Sequence, residues 1–178
     1  MIRISITGPE STGKSALSKR LAESFEGICV PEFAREYLEL HGPRYSKETV
    51  EFIAAKQIEL QNKKFESAIP VVIFDTDLFV CKVWMEHVYG NCPKWLNEAV
   101  GLQKFDLTLL MQVDLPWEDD PLREHPRERE MLFEKYLQVL KHSSQPFEII
   151  VGLGDERFEN ALKKINMHFP ALFEQNGN

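Results

Sequence analysis

Gly8-Pro9-Glu10-Ser11-Thr12-Gly13-Lys14-Ser15 decides the reading of this 178-residue chain. The run fits the pattern G-x-x-x-x-G-K-[ST] at every defined position. Ahead of it, Ile2, Ile4 and Ile6 alternate with Arg3, Ser5 and Thr7, which predicts a short strand. Behind it, Ala16, Leu17, Leu21 and Ala22 recur at helical spacing. A strand, a glycine-bearing loop and a helix in that order place a nest of backbone N–H groups at a helix N-terminus, where a polyphosphate binds. Gly8 and Gly13 allow dihedrals and a close approach that a Cβ would hinder. Gly8, Glu10, Ser11, Thr12, Gly13, Lys14, Ser15 and Ala16 are thus the expected nucleotide-binding residues. Lys14 is expected on the β- and γ-phosphates, and the Ser15 hydroxyl on Mg²⁺.

Composition narrows the class. Apolar residues make up 43% and charged residues 28%, the balance of a globular domain large enough to bury its own core. A net charge of −7 argues against a nucleic-acid surface. Cys29, Cys81 and Cys92 are an odd set without a C-x-x-C pair, as for free thiols in a reducing compartment. No apolar run reaches membrane-spanning length, and the first strand starts at Ile2. A single cytoplasmic domain over residues 1–178 is the expectation.

Strands are predicted at residues 28–30, 71–74, 107–113 and 147–151. Helices are predicted over about 47–66 behind a Ser46 cap, after the third strand through about His87, around Leu132 to Leu140, and around Phe158 to Ile165. Strands alternating with helices give an α/β fold, a parallel sheet of about five strands between two helical layers. Ligands bind such sheets at the carboxyl ends of the strands.

Those ends carry the remaining chemistry. If the stretch after the second strand turns helical, Glu32, Arg35 and Glu36 share one face, suited to holding a polyol or taking a hydroxyl proton, or to a surface ion pair. Asp75-Thr76-Asp77 ends the third strand. Asp75 is expected at Mg²⁺, Asp77 at the acceptor hydroxyl, and either can cap the next helix. Trp117, between Pro116 and acidic neighbours, is read as a platform for a flat or cationic ring, or as packing under a loop. Arg123, Arg127 and Arg129 lie in a mixed-charge lid segment near residues 120–130, where an arginine can stabilise charge on a transferred phosphoryl group. Gly152-Leu153-Gly154 after the last strand is expected near a nucleotide base. His41, His87, His125, His142 and His168 show no ligand spacing, so neither a metal cage nor a histidine base is expected.

Taken together, residues 8–15, Glu32-Phe33-Ala34-Arg35-Glu36, Phe74-Asp75-Thr76-Asp77 and Pro116-Trp117 through Arg123 resemble the ribosylnicotinamide kinase domain of NadR-type proteins, nearly end to end. The resemblance implies ATP- and Mg²⁺-dependent phosphorylation of the ribose 5′-hydroxyl of nicotinamide riboside. It also implies that Trp117 sits in the nicotinamide pocket and that Asp120 lies on the substrate-side loop. Pro121 stands where glycine is expected, and the adenylyltransferase domain that precedes the kinase in full NadR proteins is not part of this sequence. A kinase of another nucleoside or small alcohol, and a nucleotide-dependent switch, are the alternative readings. No N-K-x-D guanine signature is present, which favours ATP over GTP.

Overall fold

The computed structural model describes residues 1–174. In chain order the elements are β1 (Ile2–Thr7), α1 (Lys14–Ser24), β2 (Ile28–Val30), α2 (Phe33–His41), α3 (Lys47–Gln61), β3 (Val71–Asp75), α4 (Leu78–Tyr89), α5 (Lys94–Leu102), β4 (Leu107–Met111), α6 (Arg129–His142), β5 (Phe147–Ile150), α7 (Gly154–His168) and α8 (Ala171–Glu174). The strands form one parallel sheet in the order β2-β3-β1-β4-β5. The α/β expectation is met, with helices on both faces.

The two faces follow from the period of the strands. Ile4 and Ile6 of β1, Ile73 of β3 and Leu109 of β4 pack with Leu17 and Leu21 of α1 and with Ala161 and Ile165 of α7. The opposite face carries Leu110 against Val50 and Ile53 of α3, Phe79 and Val83 of α4, and Leu132 and Tyr136 of α6. Ser5 and Thr7, the polar half of the β1 alternation, are fully buried beneath this second layer. Burial of two hydroxyls requires partners, and their partner is Asp77 of the candidate site.

Several bounds differ from the sequence reading. The helix expected over 47–66 ends at Gln61, with the Ser46 cap present as a capping box with Thr49. Beyond it the chain turns so that Phe65 meets Phe74 of β3 edge to face, 6.3 Å between centroids. β4 stops at Met111, two residues early. Helix α5 was not foreseen: only Leu96 and Val100 of its nine residues are buried, too few for a clear periodicity.

Gly27, between α1 and β2, passes directly over the start of β3. A Cβ at this position would lie 2.3 Å from the Val71 carbonyl oxygen, a backbone atom held in the sheet. Gly27→Ala is therefore expected to lower stability by about 1–3 kcal/mol, the usual cost of overpacking. A urea-unfolding midpoint equal to that of the wild type would contradict this close approach.

Candidate active site

The loop of residues 8–15 leaves β1 and enters α1. Gly8 has φ 131°, and a Cβ on it would meet the Met111 backbone at 3.2 Å, so glycine fits both the dihedral and the contact. Ser11 is held at φ 55°. The Thr12 hydroxyl donates to the Pro9 carbonyl at 2.8 Å, and Lys14 Nζ donates to the Gly8 and Pro9 carbonyls at 3.0 and 2.8 Å. The ammonium thus rests on its own loop, on contacts that phosphate oxygens can replace.

Asp75 and Asp77 face different surroundings. Thr76 between them has φ 94°, an outlier for a β-branched residue. Its N–H donates to the Ile6 carbonyl at 3.1 Å, which fastens the turn to β1. The strained turn separates the acids. Asp77 accepts hydrogen bonds from Ser5 Oγ at 2.7 Å, Thr7 Oγ1 at 3.1 Å and the Phe79 N–H at 2.9 Å, which makes it the N-cap of α4. It is wholly buried and does not line the cleft. This corrects its expected place at the acceptor hydroxyl: β1 offers two buried hydroxyls, and Asp77 satisfies both. Burial pushes its carboxyl up to about 6, opposed by the Ser5 and Thr7 hydrogen bonds. Asp75, also buried, keeps Oδ1 without a partner among the described residues. An orphaned buried carboxylate oxygen at the end of β3 has the donor chemistry of a hard cation ligand, although Asp75, like Asp77, is not part of the cleft wall.

A cleft of about 540 Å³ opens beside the loop. Arg20, Gly154, Arg157 and Phe158 line it from α1 and α7. Leu38, Tyr45, Val80, Trp84 and Tyr136 line it from the side of α2, α4 and α6. Lys14, Ser15, Ala16, Glu32 and Arg123 also contribute to its wall. Glu32, the residue before α2, is pushed up to about 6, chiefly by burial and against the pull of Lys14. Arg35 spans Glu39 Oε1 at 2.9 Å and Asp120 Oδ2 at 2.8 Å. Glu36 is exposed and does not line the cleft.

The segment between β4 and α6 is fastened by polar contacts, in line with its scarcity of apolar side chains. Glu10 Oε2 accepts the N–H groups of Glu124 and His125 at 3.0 and 3.2 Å. Ser11 Oγ accepts from the Glu118 N–H at 3.0 Å and from Arg123 Nη1 at 3.3 Å. Arg129 Nη1 donates to the Ser11 and Leu115 carbonyls at 3.1 and 2.9 Å. Arg123 and Arg129 are thus poised on the loop, whereas Arg127 is exposed and outside the cleft wall. Trp117 also lies outside that wall: its indole N–H donates to Asp119 Oδ1 at 2.9 Å, and its ring is 5.7 Å from the Arg129 guanidinium carbon.

Three features escaped the sequence reading. Arg157 is 4% exposed and clamps the loop from α7, with Nη1 on the Thr12 carbonyl at 2.6 Å, Nε on the Gly152 carbonyl at 2.7 Å and Nη2 paired with Asp114. Within α7 it reads as one more surface charge. Tyr45 and Trp84 meet edge to face at 4.7 Å, and the Tyr45 hydroxyl donates to Glu124. Trp84 reads as core because its neighbours Val83 and Met85 are core. The histidines, scattered in sequence, are brought together at one point: His87 and His125 meet around Glu128.

A glycine-bearing loop running from the central strand of a parallel sheet into α1, with acids closing the adjacent strand, defines a P-loop NTPase fold of the kinase type. The profile of the AAA domain family matches residues 3–157, and the chain belongs to that family. The trifunctional NAD biosynthesis/regulator protein NadR of Salmonella typhimurium is 27% identical over 124 residues, 67% of this chain and 30% of that protein. A NadR protein solved in complex with NR superposes with a TM-score of 0.78 at 20% identity, over 94% of this chain and 49% of that one. Deoxyadenosine kinase from M. mycoides with bound dATP gives a TM-score of 0.62 at 18% identity, over 93% of this chain and 100% of that one. The chain therefore spans about half or less of the NadR proteins it matches. Among the described residues no helix is long and apolar enough to cross a membrane.

The two acids with raised pKa values are expected to respond differently to neutralisation. Asp77→Ala strands Thr7 Oγ1 and the Phe79 N–H and should cost at least about 2 kcal/mol. Glu32→Gln removes a desolvated charge and should leave stability unchanged or raised. Urea unfolding at pH 7.5 measures both, and equal losses would overturn the division of roles.

Proposed function

We propose that this protein is an ATP-dependent kinase of the ribose 5′-hydroxyl of nicotinamide riboside. The observation that carries the reading is the cleft itself. A phosphate-binding loop and Glu32 line it together with an aromatic, acid-rimmed recess formed by Tyr45, Trp84, Tyr136 and Glu124. The likeness to NadR, including a NadR structure solved with NR, supports the choice of acceptor.

ATP takes the side of the loop, α1 and α7, with Gly154 and Phe158 near its base. Lys14 exchanges the Gly8 and Pro9 carbonyls for β- and γ-phosphate oxygens. Ser15 and Asp75 would hold Mg²⁺, which supplies neutralisation of phosphate charge when bound. The riboside takes the side of α2, α4 and α6. Its positively charged ring meets the faces of Trp84 and Tyr45 and the carboxylate of Glu124. Glu32, ionised above pH about 6, accepts the 5′-hydroxyl proton as the oxygen attacks the γ-phosphorus and the bond to ADP breaks. Arg123 faces the transferred group from the segment over the loop, with Arg129 and Arg157 holding the loop in shape. Asp120 and Arg35 fix that segment against α2. Positioning and electrostatics supply most of the rate in such a reaction. A small-molecule riboside from the cytoplasmic pool is the acceptor this reading requires.

The test is ADP release with ATP and Mg²⁺ across nicotinamide riboside, deoxyadenosine, other nucleosides and water. The expected result is turnover stimulated most by nicotinamide riboside and abolished in a folded Lys14→Ala protein. Stimulation by deoxyadenosine alone would move the acceptor to another nucleoside, and equal release with water alone would favour a switch ATPase. Trp84→Ala should raise acceptor KM by about tenfold, the scale of a stacked cation, with ATP KM unchanged. A rise confined to Trp117→Ala would return the ring to Trp117.

A further inference from the structure

His87 and His125 at the rim of the cleft, with Glu128 beside them, have no part in phosphoryl transfer. His87 lies in the last turn of α4, while His125 and Glu128 belong to the segment leading into α6. Glu128 Oε2 is 2.8 Å from His125 Nδ1 and 3.2 Å from His87 Nε2. One ligand atom from each residue falls within 4.8 Å of the others. The imidazole rings stand edge to face, 4.6 Å apart at 82°. Side-chain exposures of 13% for His87, 21% for His125 and 46% for Glu128 leave the group sheltered on one side and open on the other.

We propose that His87, His125 and Glu128 form a binding site for one divalent transition-metal ion of the Zn²⁺ class. Two imidazoles and one carboxylate are a donor set for zinc, with the fourth position left to solvent. Tetrahedral coordination at about 2.0–2.2 Å puts ligand atoms about 3.4 Å apart. The two short separations need only a slight spreading to reach that value, since all three side chains end on rotatable bonds at a partly open surface. Mg²⁺ does not compete, because it prefers oxygen ligands.

One neighbour opposes the ion. Lys135 Nζ donates to His87 Nδ1 at 3.2 Å, which puts the ring proton on Nε2, facing Glu128. His125 Nδ1 likewise donates its proton to Glu128. An ion displaces both protons, and His87 must then carry its own on Nδ1, so the Lys135 ammonium has to turn to solvent. Lys135 is therefore an antagonist of the site. The geometry has a mechanical consequence as well. An ion ties the segment ahead of α6 to α4, at a rim where His87 and His125 both line the cleft, and holds that segment down over the loop.

Equilibrium dialysis of the full chain against Zn²⁺ at pH 7.5 with millimolar Mg²⁺ tests the proposal. Its readout is metal content, so the outcome is independent of any kinase activity. The expected result is saturable binding of one Zn²⁺ per chain. His87→Ala and His125→Ala should each weaken it by at least about tenfold, the lower end of the loss from removing even an outer-shell partner. Lys135→Met should tighten it, an effect that an unspecific surface site would not show. Co²⁺ in place of Zn²⁺ should give the strong visible absorption of a tetrahedral site. Cys92→Ser should change nothing. The proposal is overturned by absence of saturable binding, by binding lost in Cys92→Ser, or by binding indifferent to both histidine variants.

Discussion

The pairing of β1 with β3 on one flank and β4 on the other holds the site together. Register sets Ile6 opposite Asp75 and Thr7 opposite Leu110, so three strand ends come level at one edge of the sheet. The phosphate loop leaves from the middle one. Its first residue, Gly8, rests on the Met111 backbone of one neighbour, while the Ile6 carbonyl accepts from Thr76 of the other. A slip of one residue would turn Ser5 and Thr7 to the wrong face and leave Asp77 without two of its donors. The strained φ of 94° at Thr76 persists because this pairing over-determines it. Its result is a division of labour, with Asp77 held by three donors and Asp75 Oδ1 unpartnered among the described residues.

Glu32 and Asp77 show how similar desolvation has different consequences. Both carboxyls are pushed up to about 6 by burial. Asp77 faces three donors and is committed to them. Glu32 has Lys14 as its main counter-charge, and Lys14 itself is bound to loop carbonyls. Among the described residues Glu32 accepts no side-chain hydrogen bond and lines the cleft, whereas Asp77 is held by two hydroxyls and a backbone N–H under the sheet.

Much of this was legible in the sequence, for reasons of chain locality. The phosphate loop is contiguous, and the runs at 71–74 and 107–111 are apolar but for Thr108 because both faces of those strands are covered. The Ser46 cap needs only the residues beside it. What was illegible depends on residues far apart in the chain. Arg157 reaches Thr12 across 145 positions, and Tyr45 meets Glu124 across 79. Nothing local to Ser5 and Thr7 reveals that an acid at position 77 accepts from both. Trp117 drew attention by its place after a strand, yet Trp84, within a helix rich in core residues, is the tryptophan of the cleft wall. Spacing along the chain also hid the meeting of His87 and His125, which the packing of α4 against the segment before α6 alone creates.

In the proposed reaction Glu32 is the group that takes the acceptor proton. The direct measurement is the pH dependence of kcat/KM for nicotinamide riboside at saturating ATP and Mg²⁺. A base must be ionised to act, so the rate is expected to fall as pH drops through about 6 and to level off above it. In Glu32→Gln that limb should vanish, with activity lower by about 10²–10⁴-fold. A Glu32→Gln enzyme that keeps both its rate and the limb near pH 6 would contradict the account, since the proton would then leave by another route.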